Sequence, residues 1–253
     1  MAYVLYEKKD HVVFITLNRP DRMNALGREL MAELTEAEAQ FAEDNDAWVA
    51  VYTGAGDRAF SVGRDMKEAA DPGSGGGDLT KFFEKGFFTS EKPTIAAVNG
   101  FAMGGGCEKA LSCDVRICST NAVFAFPEVS VGLCPPVGSF LLPRLIGLSN
   151  ALWLLMSGER IDAQEALRVG LVTRVVAADE LLPTATKMAE AIARNSPLGV
   201  RATKKLATLG LELPMDYARS MGASLISSVW TSQDAIEGIM AFAEKRQPEW
   251  KLK

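Results

Sequence analysis

Short apolar runs alternate with helical spacing over the first two thirds of the chain. The runs 3–7 and 11–17 flank the charged turn Lys8–Asp10 and predict an opening β-hairpin. Pairs of apolar runs followed by a helical pattern then recur at 12–41, 49–68, 95–111 and 115–145. This repeat predicts an α/β fold built from successive β-β-α units.

The last part of the chain has a different pattern. From residue 178 onward the apolar spacing is helical, with interruptions at Pro197 and Pro214. We therefore predict a β/α body at residues 1–176 and a helical region at 177–253. A terminal helical region of this length favours contacts between subunits.

Two neighbouring segments between the second and third repeats differ in composition. The stretch 72–77 contains only Pro, Gly and Ser, which predicts a mobile loop beside a ligand site. The following stretch 82–88 carries four phenylalanines. We interpret it as a helix that packs in the core.

Composition excludes several classes of function. The 253 residues are 48% hydrophobic and carry a net charge of −5, and Lys and Arg form no run longer than two. This charge pattern argues against a nucleic-acid partner. No apolar stretch is long enough to span a bilayer, and the N-terminus lacks a signal-peptide pattern. We expect a cytoplasmic protein without a membrane partner.

Cysteine and histidine usage narrows the chemistry further. The four cysteines form no CxxC pair and predict reduced, buried thiols at Cys107, Cys113, Cys118 and Cys134. The only histidine is His11, at the start of an apolar run, where a structural role is expected. Multi-histidine metal sites and Ser-His-Asp triads are therefore not expected, and we predict no metal.

The candidate chemistry lies at residues 94–128. An apolar run at 95–98 leads through Asn99-Gly100 to three consecutive glycines, Gly104–Gly106, which open a helical segment. Glycine lets a ligand approach the backbone N–H groups at a helix start, and such groups stabilise developing negative charge. Glu108 follows two residues after the glycines, and Glu128 lies twenty residues beyond it. One anion-binding backbone and two carboxyl groups would form a reaction centre.

Both parts of this centre have a second interpretation. Each glycine inside a helix lowers the stability of the helix by about 1 kcal/mol relative to alanine. Three glycines at a helix start are therefore expected to serve either the approach of a ligand or close packing of the helix. Glu128 follows Phe124, Phe126 and Pro127. Apolar surroundings would raise its pKa and suit it to acid–base chemistry, although a helix or turn cap is the alternative.

Several segments resemble the enoyl-CoA hydratase/isomerase, or crotonase, superfamily. They are FSVGRDMKE at 60–68, KPTIAAVNGFAMGGGCEKAL at 92–111, FAFPEVSVGL at 124–133 and LPRLIG at 142–147. Further matches at both ends extend the resemblance over nearly the whole chain. It implies a crotonase-like spiral of repeated β-β-α units with a helical C-terminal region that forms a homotrimer or a dimer of trimers.

The resemblance also implies the ligand and the site residues. The ligand would be an acyl-CoA thioester, so that coenzyme A enters as part of the substrate and no other cofactor is expected. Backbone N–H groups of Arg64 and Gly105 would form the oxyanion hole. Glu108 would deprotonate water, and Glu128 would exchange the proton at the α-carbon. The substrate and CoA-binding positions would be Arg64, Asp65, Met66, Lys67, Gly104 and Gly105.

Departures from the family pattern concern the acyl group. Arg64 and Val62 replace small residues, Lys109 replaces an apolar one, and the stretch 134–140 is one residue shorter. A bulky residue at Arg64 is similar to the carnitinyl-CoA dehydratase branch. We expect a hydratase-type lyase for 2-enoyl-CoA thioesters in fatty acid metabolism. The alternatives are a double-bond isomerase, a hydratase or dehydratase for a non-fatty acyl group, and a non-catalytic acyl-CoA-binding protein.

Overall fold

The computed structural model describes residues 2–70 and 90–253, so the predictions for 72–77 and 82–88 fall outside the described residues. The strands are β1 Val4–Lys9, β2 Val12–Leu17, β3 Val49–Gly54, β4 Ala59–Ser61, β5 Thr94–Val98, β6 Phe101–Met103, β7 Val115–Ser119, β8 Val123–Ala125, β9 Ile161–Asp162 and β10 Arg174–Val176. The helices are α1 Arg28–Glu43, α2 Met66–Ala69, α3 Gly105–Leu111, α4 Gly138–Ile146, α5 Leu148–Ser157, α6 Ala163–Arg168, α7 Leu181–Ala193, α8 Pro197–Glu212, α9 Met215–Trp230 and α10 Gln233–Glu244. Short 3₁₀ helices cover Pro20–Arg22 and Pro127–Val131.

The strands form two sheets that the chain visits alternately. The larger sheet has the order β1-β2-β3-β5-β7-β10, and the smaller has the order β4-β6-β8-β9. Strands β3, β5 and β7 pair in parallel in the first sheet, while β4, β6 and β8 pair in parallel in the second. The repeats at 49–68, 95–111 and 115–145 therefore each add one strand to each sheet, and this confirms the predicted spiral of β-β-α units.

The predicted hairpin is also present. Strands β1 and β2 are antiparallel, with Lys9 opposite Val12, and Asp10 adopts a φ of 50° in the turn between them. The next strand of the sheet, β3, is buried at all six positions. Such a continuous apolar run is typical of a parallel strand that is covered on both faces.

Three elements differ from the sequence-based prediction. Strand β6 was missed because its three residues lie between a turn and the glycines, too short a run to give a period. Helix α5 was also missed; it follows α4 directly after Gly147, whose φ of 79° breaks the helix. Strand β10 covers only Arg174–Val176, although the residues LVTRVV at 171–176 predict a longer strand.

Helices cover the larger sheet from two sides. Leu30, Leu34 and Phe41 of α1 are buried in one core. Leu181, Ala185 and Ala189, spaced four residues apart on α7, are buried in a second core with the opposite strand faces. Helix α7 therefore packs against the larger sheet and shares a core with it. The proposed division of the chain at residue 176 stays a prediction.

The cysteines and the histidine, which the sequence analysis used to exclude metal sites and catalytic triads, have the following positions. All four cysteines are free, but Cys134 is exposed, contrary to the prediction of a buried thiol, because it lies in the loop before α4. His11 stacks on Trp48 with ring centroids 3.5 Å apart, in agreement with a structural role. No helix among the described residues is long and apolar enough to cross a membrane, and these residues contain no cluster of metal-binding side chains.

Candidate active site

The glycine run begins at the junction of β6 and α3. Gly104 precedes the helix with φ 50° and ψ −126°, a conformation that favours glycine. A Cβ atom on Gly104 would lie 2.9 Å from Oε1 of Glu128. The absence of a side chain at this position therefore lets the Glu128 carboxyl group reach the start of α3.

Gly106 serves a different purpose. A Cβ atom at this position would lie 2.2 Å from the carbonyl oxygen of Ser61, so α3 packs directly against the backbone of β4. Close packing, one of the two interpretations of the glycine run, is thus present at Gly106. Gly104 leaves space for the Glu128 carboxyl group, and ligand approach stays a prediction.

The two backbone amides predicted for the oxyanion hole lie on adjacent segments. A Cβ atom on Gly105 would lie 3.9 Å from the backbone nitrogen of Arg64. Gly63, with a φ of 80°, makes the approach possible, because its own Cβ would lie 3.0 Å from the Gly105 nitrogen. The structure therefore brings Arg64 and Gly105 together, as the resemblance implies.

The direction of the Arg64 peptide is set by a bridge to the segment before α1. The N–H of Leu26 donates to Gly63 O at 2.8 Å, and the N–H of Asp65 donates to Leu26 O at 3.2 Å. In a parallel bridge of this kind, the residue between the two that make the hydrogen bonds, here Arg64 between Gly63 and Asp65, turns its own N–H to the opposite side. For Arg64, the bridge thus directs the N–H away from the Leu26 backbone.

Glu108 lies in the first turn of α3 and is almost completely buried, with 1% of its surface exposed. Its Oε1 accepts hydrogen bonds from the backbone N–H groups of Val137 and Gly138, both at 2.8 Å. Burial raises the pKa of Glu108, and the two amide hydrogen bonds oppose this by favouring the anion. The net pKa is raised, and one carboxyl oxygen is fixed in place.

Glu128 lies in the 3₁₀ helix Pro127–Val131 and is half-buried. Its Oε2 is a buried atom that no donor among the described residues contacts. Burial raises the pKa of Glu128 to about 7, and the neighbouring charge of Glu108 adds to the increase. A buried carboxyl oxygen without a partner is costly, which favours a functional role over a cap.

The backbone amides that hold Glu108 were missing from the sequence prediction. They belong to Val137 and Gly138, where α4 begins after Pro135 and Pro136. The available signal was a glycine that opens an apolar helical run after two prolines. That signal identifies the start of a helix but does not identify the carboxylate that it meets, which lies 29 residues earlier in the chain.

The consecutive positions 64–67, which were predicted to bind the substrate and CoA, differ in their exposure. Met66 and Lys67 are exposed, and Arg64 is half-buried, so their role toward CoA stays a prediction. Asp65 is buried, and its carboxylate is engaged with Arg19 and with the start of α2. The Asp65 side chain is therefore committed to partners within the protein.

Lys109 follows the catalytic candidate Glu108 but is directed elsewhere. Its ammonium group is buried, pairs with Glu38 of α1, and lies 4.1 Å from the ring centroid of Tyr52. Lys109, which replaces an apolar residue of the family pattern, therefore forms an ion pair that connects α3 with α1.

Comparisons with known proteins agree with this architecture. Residues 7–253 match the family model described as enoyl-CoA hydratase/isomerase. The chain is 42% identical to (E)-benzylidenesuccinyl-CoA hydratase of Thauera aromatica, over 98% of each protein. It is 41% identical to carnitinyl-CoA dehydratase of Citrobacter koseri, over 95% of each. The crystal structure of enoyl-CoA hydratase from Bacillus anthracis superposes with a TM-score of 0.94 at 35% identity, covering 99% of this chain and 100% of that one.

The chain belongs to the enoyl-CoA hydratase/isomerase family. Its fold is that of the crotonase-type hydratases, with the parallel sheets and the helices described above. Its activity is of the enoyl-CoA hydratase type, and an acyl-CoA thioester is its substrate.

Proposed function

We propose that this enzyme adds water reversibly to a 2-enoyl-CoA thioester, with Glu108 and Glu128 as the acid–base pair and the amides of Arg64 and Gly105 as the oxyanion hole. The observation that carries the proposal is the position of Glu128. Its carboxyl group reaches the start of α3, next to the Gly105 amide, through the space that Gly104 leaves open. Glu108 approaches from within the same helix.

The oxyanion hole would stabilise the charge that forms during addition. When water attacks the β-carbon, the electron pair of the double bond moves toward the thioester oxygen and forms an enolate. Two backbone N–H groups held in advance stabilise this charge without reorganisation, and one such donor typically contributes about 10²–10³ in rate. The close approach of Gly63 to Gly105 supports such a fixed arrangement.

The two glutamates would handle the two protons of the addition. Glu108, whose anion is favoured by two amide hydrogen bonds, takes a proton from water as the oxygen bonds to the β-carbon. Glu128, protonated near neutral pH, gives its proton to the α-carbon. Dehydration runs through the same steps in reverse, with Glu128 as base and Glu108 as acid.

The activity should therefore depend on a pair of carboxyl groups that shares one proton. The expected result is a bell-shaped plot of kcat/KM against pH, with a basic limb near the Glu128 pKa of about 7. The pKa that governs the acidic limb should lie above the usual pKa of a glutamate, because burial raises the pKa of Glu108. Both directions need the singly protonated pair, so hydration and dehydration should give the same profile. A profile that stays flat through pH 7 and above would contradict this assignment.

The proposal leaves the acyl group to be determined. The name of the Bacillus anthracis enoyl-CoA hydratase supports a simple enoyl group, and the names of the other two relatives support a substituted one, benzylidenesuccinyl or carnitinyl. A panel of these enoyl- and 3-hydroxyacyl-CoA thioesters, incubated with the enzyme and analysed by mass, identifies the reaction and the substrate together. Gain or loss of one water supports the lyase. A shifted double bond at unchanged mass would support an isomerase, and tight binding without turnover of any thioester would support a binding protein.

The cofactor and the compartment remain predictions from the sequence. The steps above use coenzyme A only as part of the substrate, with no metal or redox group. A place in fatty acid metabolism and a cytoplasmic location also remain predictions, and the acyl group found in the panel bears on the first of these.

The oligomeric state is a further part of the proposal. Helices α8–α10 carry large apolar side chains that are mostly exposed in the single chain, among them Leu211 at 83%, Trp230 at 80% and Phe242 at 88%. Exposed apolar surface of this kind favours association. We take the partner to be another copy of the chain, in a homotrimer or a dimer of trimers as the family resemblance implies.

Replacing Phe242 with aspartate should disrupt this assembly. A charge at a buried interface position is costly, so the variant should shift from three or six copies of the 27.3 kDa chain toward one, measured by light scattering. Leu5→Asp is the control, since Leu5 is also exposed but lies on β1. A wild-type protein that is monomeric at micromolar concentration would contradict the proposal.

A further inference from the structure

A buried ion pair lies directly behind the predicted oxyanion loop. Nη1 of Arg19 is 2.8 Å from Oδ2 of Asp65, and the two side chains are only 16% and 9% exposed. Nη2 of Arg19 lies 3.3 Å from Oε1 of Glu68. The Arg19 guanidinium thus contacts the first and the last residue of the segment 65–68, which follows Arg64.

Asp65 uses both of its carboxylate oxygens inside the protein. While Oδ2 faces Arg19, Oδ1 accepts from the backbone N–H groups of Lys67 at 3.0 Å and Glu68 at 3.3 Å, which caps α2. Burial alone would raise the pKa of Asp65, but these hydrogen bonds and the Arg19 charge outweigh it and hold the pKa below its ordinary value. Asp65 is therefore a charged anchor immediately after Arg64.

The anchor is connected to the direction of the Arg64 amide. The N–H of Asp65 is one of the two hydrogen bonds in the bridge between Leu26 and the oxyanion loop. Arg19 begins the segment that leads to Leu26, and its own backbone N–H donates to the side chain of Asn24, which is completely buried. The ion pair and the bridge thus join the same two segments at two points.

Glu68 reinforces the connection. Its Oε2 accepts from the N–H of Arg28 at 2.9 Å, at the start of α1. A Cβ atom on Gly27 would lie 2.7 Å from Nη1 of Arg19 and 2.5 Å from Oε1 of Glu68, so the chain passes in close contact with the ion pair. The segment 19–28 is therefore connected to residues 65–68 near both of its ends.

We propose that Arg19 is a positioning residue for the reaction. By holding Asp65, it fixes the bridge to Leu26 that orients the Gly63–Arg64 peptide, and this peptide presents the Arg64 N–H to the thioester oxygen. Arg19 thus acts without touching the substrate. This inference rests on the proposed oxyanion hole. It predicts that loss of the ion pair lowers kcat more than it raises KM, because a misplaced donor weakens the transition state more than the bound substrate.

The test compares Arg19→Met, Asp65→Asn and the double variant. Asparagine keeps the cap of α2 but removes the negative charge, so the two single changes remove the same ion pair. Each should lower kcat by about tenfold to a hundredfold, and the double variant should lose little more than either one. Arg168→Met is the matched control, since Arg168 forms an exposed ion pair with Glu165 far along the chain. Asp65→Asn preserves the test if Arg19→Met does not fold, and Arg19→Lys, which keeps the positive charge, should retain most of the kcat.

A spectroscopic measurement separates positioning from a merely structural role. In a Glu108→Gln background, a conjugated aryl 2-enoyl-CoA binds without turnover, and the shift of its absorption band on binding reports polarisation of the carbonyl group. Arg19→Met should reduce this shift at saturating ligand. An unchanged shift and kcat, with only a lower Tm, would overturn the inference while leaving the proposed function in place. Wild-type protein that turns over no 2-enoyl-CoA would overturn both.

Discussion

Replacing Glu108 with glutamine should abolish most of the turnover while the fold remains intact. Glutamine keeps an oxygen that can accept from the amides of Val137 and Gly138, so the side chain should stay in place. It cannot accept a proton from water. Loss of a general base typically costs about 10²–10⁴ in rate, and we expect kcat in hydration to fall within this range.

Steady-state kinetics together with thermal unfolding test this expectation. The Tm should not fall, because the change removes a carboxyl group whose charged form burial disfavours. Glu29→Gln is the matched control, since Glu29 is an exposed glutamate in the first turn of α1. A Glu108→Gln variant with kcat close to that of the wild type would remove Glu108 from the mechanism.

Replacing Gly105 with proline should cause the second largest loss. Proline has no backbone N–H, and it is tolerated at the first position of a helix, where Gly105 lies in α3. The variant therefore deletes one donor of the proposed oxyanion hole and puts a ring carbon where the hydrogen was. Removal of one such donor predicts a loss of about 10²–10³ in kcat.

Gly105→Ala provides the control for this change. Its Cβ would lie 3.5 Å from Cδ1 of Leu26, an ordinary contact, and its backbone N–H is retained. Alanine should therefore keep most of the activity that proline removes. Equal kcat values for the two variants, with circular dichroism showing both folded, would mean that the Gly105 amide does not stabilise the transition state.

The sequence predicted those parts of the fold and site that depend on local pattern. The β-β-α repeat follows from apolar runs of strand length, and it is confirmed by strands that alternate between two sheets. The glycines at the start of α3 indicated either ligand approach or close packing, and close packing is present where Gly106 meets the backbone of Ser61. The catalytic roles of Glu108 and Glu128 remain predictions, which their burial and raised pKa values support.

The pattern of apolar and polar residues did not predict the contacts between segments that are distant in the sequence. Asp65 was predicted as a substrate or CoA-binding position, yet its side chain pairs with Arg19, 46 residues earlier. Lys109 looked like a change in the acyl pocket, yet it pairs with Glu38 on α1. In both cases a charged side chain is buried against an opposite charge from another element, and periodicity carries no information about such a partner.

The most direct test of the whole account is the addition of heavy water to a 2-enoyl-CoA by the wild-type enzyme. If the two carboxyl groups and the oxyanion hole act together, turnover in D₂O should give a 3-hydroxyacyl-CoA that keeps one deuterium at the α-carbon after return to H₂O. Mass spectrometry and proton NMR measure this label. An enzyme that binds the thioester but adds no water and places no deuterium at the α-carbon would contradict the account.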